Sequence, residues 1–261
     1  MENAFTNDKD LKFLYDCPND RLKLLVDVII YDKDGKPRIS ETLSNNKIFR
    51  ENYPGNIKAM LPEVINELQR FGGNSISNAV RGHGVSYREI LEDVCKQQKV
   101  SYNKGISTEL LEKFMLQKIL LTAVDKMTEE NIELLTGDVT MTKELLIQTI
   151  GFSQPDNPLV IKVLTAVIAN VVGAPKVEAL GVFAGIFGAG ALINVLAVPL
   201  VGGLAGPLVG GLAAASPAYR VTIPATIMIA YLRLIASKAD EELEQILADK
   251  PNSPNQTVEK E

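Results

Sequence analysis

Residues 179–219 read ALGVFAGIFGAGALINVLAVPLVGGLAGPLVGGLAAASPAY, and none of these 41 positions carries a charge. Glu178 and Arg220 close the run on its two sides. Inside it Gly181, Gly185 and Ala189 stand four apart, and so do Gly202, Gly206 and Gly210. In a helix that spacing lines small residues along one face and leaves a groove where a second backbone fits closely. Nine glycines fall between Gly181 and Gly211. In an exposed helix each costs about 0.8–1 kcal/mol against alanine, so a close contact through the groove has to offset them. The run therefore predicts helices pressed together away from water. It sets the expected fold class as all-α: an N-terminal multi-helix bundle, then a glycine-rich hydrophobic helical hairpin, then a C-terminal amphipathic helix.

Two surroundings meet that packing demand. Ala179–Val198 gives twenty uncharged residues, about 30 Å as a helix, which matches a bilayer core. Pro199 interrupts it, and Leu200–Ala215 follows with roughly 24 Å, short of a full span. The ten Leu, Ile, Val and Phe of the first segment favour insertion by at most roughly 3–6 kcal/mol, eroded by Asn194 and the glycines. The second has six such residues and contains Pro207. A hairpin entering lipid as a unit, both ends on the cytoplasmic side, fits better than two autonomous spans. A soluble α-domain burying the hairpin as its central helix pair fits the same residues.

On either side of the run the pattern stays helical. Leu159 to Val172 is apolar apart from Lys162 and Asn170, and Gly173-Ala174-Pro175 ends it. Beyond Arg220, Thr222-Ile223-Pro224 reads as a cap with proline in the first turn. Ile227, Ala230, Tyr231, Leu234 and Ile235 continue into Leu243, Ile246 and Leu247, while Lys238, Asp240, Glu241, Glu242 and Glu244 turn the later face polar. Residues 250–261 are polar, hold Pro251 and Pro254, and read as a disordered tail. The charge boundary divides the chain into a soluble helical domain (1–155), a hydrophobic glycine-rich helical region (156–249) and that tail.

The first half is densely charged and helical in period. Leu61, Val64, Ile65, Leu68 and Phe71 recur at the spacing of one helix face, as do Leu110, Leu111, Phe114, Met115, Leu120 and Val124. Ser86-Tyr87-Arg88-Glu89 is a capping box, followed by Ile90, Leu91, Val94 and Cys95 as a buried face. Thr128 and Thr142 read as N-caps. Asp32-Lys33-Asp34-Gly35 with Pro37, Tyr53-Pro54-Gly55, Gly72-Gly73 and Gly82-His83-Gly84 read as breaks, with Gly72 as a helix C-cap and Asn74 or Ser75 starting the next helix.

Several of these stretches together resemble the YaaW-like family of bacterial proteins. They are Asn7-Asp8-Lys9-Asp10-Leu11, Tyr31-Asp32-Lys33-Asp34-Gly35, Phe71-Gly72-Gly73-Asn74, Tyr87-Arg88-Glu89-Ile90-Leu91 with Asp93-Val94-Cys95, and Tyr102-Asn103-Lys104. The resemblance covers residues 5 to 105 by motif and the rest by the order of helical and hydrophobic segments. The family is loosely grouped with ubiquinol–cytochrome c chaperones. The resemblance implies a helical fold and transfers no catalytic residue.

Candidate chemistry is thin. The net charge of −5 and the carboxylates around Lys96, Lys99 and Lys104 argue against a nucleic-acid partner, which needs a basic face. Asp32, Asp34, Gly35 and Glu41 imitate part of a calcium loop, but Ile30 would stand where the first oxygen ligand belongs and Pro37 disturbs a later position, so a solvated turn is the better reading. Cys17 and Cys95 form neither a ligand set nor a disulfide framework. His83, the single histidine, has no nucleophile beside it. Phe71-Gly72-Gly73-Asn74 lacks the Lys-Ser/Thr of a phosphate loop. No catalytic, metal or cofactor site emerges, and the expectation is a non-enzyme.

Tyr87, Arg88, Glu89 and Asp93 form a dense polar set, readable as a partner-binding surface or as ion pairs that fix helix register. The expected function is a cytoplasmic protein associated with the inner membrane. Its hairpin (Gly181, Gly185, Ala189, Gly202, Gly206, Gly210) anchors to or perturbs the bilayer, and its N-terminal helices bind a protein partner or a second copy. A soluble assembly factor with the hairpin as core, and a pore-forming effector, are the alternatives.

Overall fold

The computed structural model describes residues 8–32, 36–38, 41–75, 85–153, 157–172 and 219–248. Numbered along the chain, the described helices are α1 (Asn19–Ile30), α2 (Lys47–Asn52), α3 (Leu61–Ser75), α4 (Tyr87–Gln97), α5 (Thr108–Asp125), α6 (Glu129–Thr136), α7 (Lys143–Phe152), α8 (Pro158–Val172) and α9 (Tyr219–Ala248). Short 3-10 helices cover Lys9–Tyr15, Leu43–Asn45 and Ile57–Met60. Among the described residues there is no β-strand, only an isolated bridge between Tyr31 and Pro37. The fold is all-α. The glycine-rich run, including Gly181, Gly185, Ala189, Gly202, Gly206 and Gly210, lies outside the described residues, as does His83.

Helix starts fall where the side chains can cap them. The Ser86 hydroxyl accepts from the Glu89 N–H at 3.3 Å, and the Glu89 carboxylate accepts from the Ser86 N–H at 2.9 Å. Thr128 pairs with Asn131 in the same reciprocal way, and Thr142 accepts from Leu145 N–H at 3.2 Å. These bonds use backbone donors that no helical carbonyl reaches. Gly137 ends α6 with φ of 73°, a left-handed turn that glycine enters without steric cost.

α9 forms the centre of the described structure. Val221, Ile223, Ala225, Ile227, Met228, Ile229, Tyr231 and Leu232 are all buried, so the helix is enclosed on every side between Val221 and Leu232, as expected of a stretch that is apolar all round. It packs against α1, α3, α4, α5, α8 and the first 3-10 helix. Tyr219–Ser237 is the one helix among the described residues long and apolar enough to cross a membrane, and most of it is enclosed by protein. The described core takes side chains from both sides of residue 155 in a single cluster, so the charge boundary in the sequence is not a boundary in the core.

Three local expectations are corrected. α9 has already begun at Tyr219, which puts Pro224 inside the helix rather than at its opening turn. Proline offers no N–H to the carbonyl four residues back, and the Arg38 guanidinium supplies that donor, its Nη2 3.1 Å from Arg220 O. Gly72 does not end α3, which continues to Ser75. An added Cβ there would stand 2.4 Å from Ile90 Cγ1 and 2.7 Å from Cδ1, so this glycine permits the close approach of α3 to α4. Finally, Leu110 and Phe114 do not share the buried face of Leu111, Met115, Leu120 and Val124 but are exposed. α5 is apolar on more than one face.

Candidate functional site

Four carboxylates are buried among the described residues, and each is held. Asp27 receives Lys23 Nζ at 2.8 Å and the Tyr53 hydroxyl at 2.7 Å. Glu41 accepts from Ser44 N–H at 2.9 Å. Glu67 accepts from the Thr42 N–H and hydroxyl at 2.8 and 2.9 Å and from Arg70. Glu112 differs from these, because its partners come from α4 and from the far end of the chain.

Glu112 sits on the inner face of α5 with 2% of its surface exposed. Its Oε1 accepts from the Tyr87 hydroxyl at 2.7 Å, and its Oε2 accepts from Arg233 Nε at 2.7 Å. Arg233 Nη2 reaches Oε1 at 3.3 Å and also donates to the Asp10 carbonyl. The guanidinium lies over the Phe13 ring, 4.0 Å from its centroid, where the negative ring face attracts a cation. Thr108 donates its hydroxyl to Asp10 Oδ2 at 3.0 Å. Asp8 Oδ2 accepts from Tyr87 N–H at 2.7 Å and from Gln69 Nε2 at 3.4 Å. One network thus joins the first 3-10 helix, α3, α4, α5 and α9.

Its electrostatics follow from burial. Loss of water raises the Glu112 carboxyl above its ordinary value, partly opposed by the Arg233 guanidinium. Burial pushes the Tyr87 phenol well up, and the Glu112 charge beside it adds to the effect. For Arg233, burial works against the proton, but Glu112 outweighs it and holds the guanidinium charged. The bonds of this network run from one part of the chain to another, which makes it a fastening.

A second fastening lies at the root of α9. Tyr219 is hydrogen-bonded to Asp93, and burial followed by that bond moves its phenol up to about 12. Arg38 holds the Arg220 carbonyl beside it.

The polar set singled out on α4 separates accordingly. Tyr87 points inward to Glu112 and Glu89 closes the capping box. Arg88 bridges Glu92 at 2.7 Å and the Ile106 carbonyl at 3.0 Å, and Asp93 meets Tyr219. Arg88 and Glu92 also line a polar groove of about 830 Å³ with Lys9, Asp10, Ser107 and Glu109. A smaller apolar groove, about 230 Å³, lies between Leu110, Phe114, Leu120, Ile150, Val160 and Leu164. Cys17 and Cys95 are both buried, and burial carries the Cys95 thiol up to about 12. Among the described residues no group of three His, Cys, Asp or Glu side chains is placed to hold a metal ion.

Sequence reasoning gave no site role to Asp8 and Asp10, which it quoted only within a family motif, and passed over Phe13, Arg38, Glu112 and Arg233. Two of them carried a signal. Arg233 is the one charge between Arg220 and Lys238, and Glu112 falls in the buried register of Thr108, Leu111, Met115 and Ile119. A lone charge on each of two apolar faces marks a pair that must meet.

The fold and its fastenings define an all-α protein whose apolar C-terminal helix is locked into a charged helical body. The family model described as Domain of unknown function (DUF3944) matches residues 5–39. A UPF0174 protein of Helicobacter pylori (strain J99 / ATCC 700824) is 32% identical over 255 residues, covering 92% of this chain and 96% of the relative. The UPF0174 protein YaaW of Escherichia coli (strain K12) is 33% identical over 241 residues, covering 91% and 98%. A UPF0174 protein of Helicobacter pylori (strain ATCC 700392 / 26695) is 36% identical over 210 residues, covering 75% and 98%. The chain belongs to the UPF0174 family, the YaaW-like family that its motifs resemble. No solved structure matches it.

Proposed function

We propose that this protein is a non-enzymatic, membrane-associated helical protein of the cytoplasmic side of the inner membrane. In this reading residues 179–215 enter the bilayer as a glycine-rich helical hairpin, and the charged body on the N-terminal side binds a protein partner or a second copy. The observation that carries it is the 41-residue charge-free run with its four-residue glycine spacing. Lipid keeps water from the apolar side chains of that run, and the second arm of the hairpin gives the glycine groove its closely apposed helix. The flanking helices support it, because α8 and α9 pack on each other and tether both ends of the run to one body.

Carbonate extraction of cell membranes tests the reading. The protein should stay with the membrane pellet. Quantitative recovery in the soluble fraction, monodisperse without detergent, contradicts it.

One observation favours a second reading, a soluble helical assembly factor with the hairpin as core. Tyr219–Ser237 is itself apolar enough to cross a membrane, yet it is enclosed by protein. The same extraction separates the two readings.

A further inference from the structure

Arg220, which closes the charge-free run, meets Arg38 at the start of α9, where Arg38 Nη2 donates to the Arg220 carbonyl at 3.1 Å. The meeting leaves both cations short of acceptors. Among the described residues that carbonyl is the one hydrogen-bond acceptor Arg38 has, and its Nε is buried with no partner. Arg220 is exposed, and its guanidinium makes no hydrogen bond or ion pair among the described residues. The two charges also act on each other. Burial lowers the Arg38 guanidinium from its ordinary value, Asp32 opposes that, and the Arg220 charge adds to it. The carboxylates of this region are engaged elsewhere: Asp32 Oδ1 accepts from the Lys36 N–H at 2.9 Å, and Asp93 is bonded to Tyr219. The amino end of α9 adds the partial positive charge of its helix dipole.

Buried donors are nearly always answered by protein, by water or by an ion. Here the protein answers with one carbonyl, and two like charges stand close together. An anion between them removes both deficits, and a phosphate group suits the place because its oxygens accept from several guanidinium donors at once. We propose that Arg38 and Arg220 form a binding site for a phosphate group at the amino end of α9. A free phosphate and a lipid headgroup present the same oxygens. The site lies at the residue where the charge-free run gives way to charge, which is the level at which a hairpin in lipid meets headgroups. That choice of source rests on the lipid reading above, and the site itself does not.

The test titrates the full chain, at constant ionic strength with chloride as the background anion, against two probes followed by phosphorus NMR. One is inorganic phosphate, and the other is dihexanoyl phosphatidylglycerol dissolved as monomers. At least one probe should bind saturably, and Arg220→Gln should weaken it about tenfold or more. Arg220 is exposed and its side chain holds nothing else, so this variant keeps the fold. Arg38→Gln should weaken binding likewise, while Lys118→Gln, which removes an exposed charge from α5, should bind as wild type does. Binding of neither probe overturns the site. Equal binding by wild type and Arg220→Gln, or an equal loss in Lys118→Gln, overturns its assignment to these residues. The tighter probe names the source. Preference for inorganic phosphate leaves the site standing and removes its link to lipid, and carbonate extraction of wild type decides separately whether the lipid reading stands.

Discussion

Arg233 and Glu112 lie 121 residues apart in the chain, and Nε of one stands 2.7 Å from Oε2 of the other. Their side chains are 18% and 3% exposed. Removing two charges from water costs several kcal/mol per ion, and their attraction returns about as much only when every remaining polar atom is also satisfied. Tyr87, Asp10 and Phe13 supply further partners to the pair here. The pair therefore specifies where α9 docks more than it adds to net stability.

Removing one partner exposes that balance. Arg233→Met leaves Glu112 buried opposite a methyl group and should lower unfolding stability by about 3 kcal/mol, read from urea denaturation. The triple replacement Tyr87→Phe, Glu112→Leu, Arg233→Met removes the three side chains that meet at the ion pair and should recover most of the loss. A triple variant weaker than the single one contradicts the assignment.

The pH dependence has a definite sign. Burial holds the Glu112 carboxyl above its ordinary value in the folded state, so folding favours its protonated form. Its contribution is fully present below the unfolded value and is lost as pH rises through the folded value. Wild type should gain stability relative to Glu112→Gln as pH falls from neutral towards the ordinary carboxylate range. Urea midpoints of both proteins across that range measure it, and a gap that shrinks on acidification would mean that the carboxylate is net stabilised.

Gly72→Ala tests the contact between α3 and α4. Helix propensity alone favours alanine by about 1 kcal/mol. The added methyl would meet Ile90 at 2.4 Å and Val85 Cγ2 at 3.0 Å, and overpacking of this kind costs about 1–3 kcal/mol. Gly72→Ala should destabilise the protein, and Ile90→Val should relieve part of the cost in the double variant. Thermal unfolding of the three proteins decides it.

Cys17 and Cys95 should resist a soluble thiol reagent in the native protein and react once it is unfolded in urea, since both are buried and burial raises both thiols. Rapid native labelling of Cys95 would contradict its place inside α4.

Local signals transferred well from sequence to structure. The Ser86 capping box, the Thr128 and Thr142 caps and the stripe Leu61, Val64, Ile65, Leu68, Phe71 all depend on residues within a turn or two of each other. What the sequence hid is non-local. Gly72 looks like a stop because glycine usually ends helices, and only the nearness of Ile90 explains its place inside one. Pro224 looks like a first-turn residue because the donor that rescues Arg220 comes from Arg38, 182 positions away. Glu112 and Arg233 each look like an oddity in an apolar stripe until both helices are placed side by side.

The most direct measurement is deuterium uptake by peptides covering 179–215 in the full chain, with and without vesicles of phosphatidylethanolamine and phosphatidylglycerol. Uptake in that run should fall sharply when lipid is present, while α3 and α5 change little. Identical uptake in both conditions would contradict membrane engagement by the glycine-rich run.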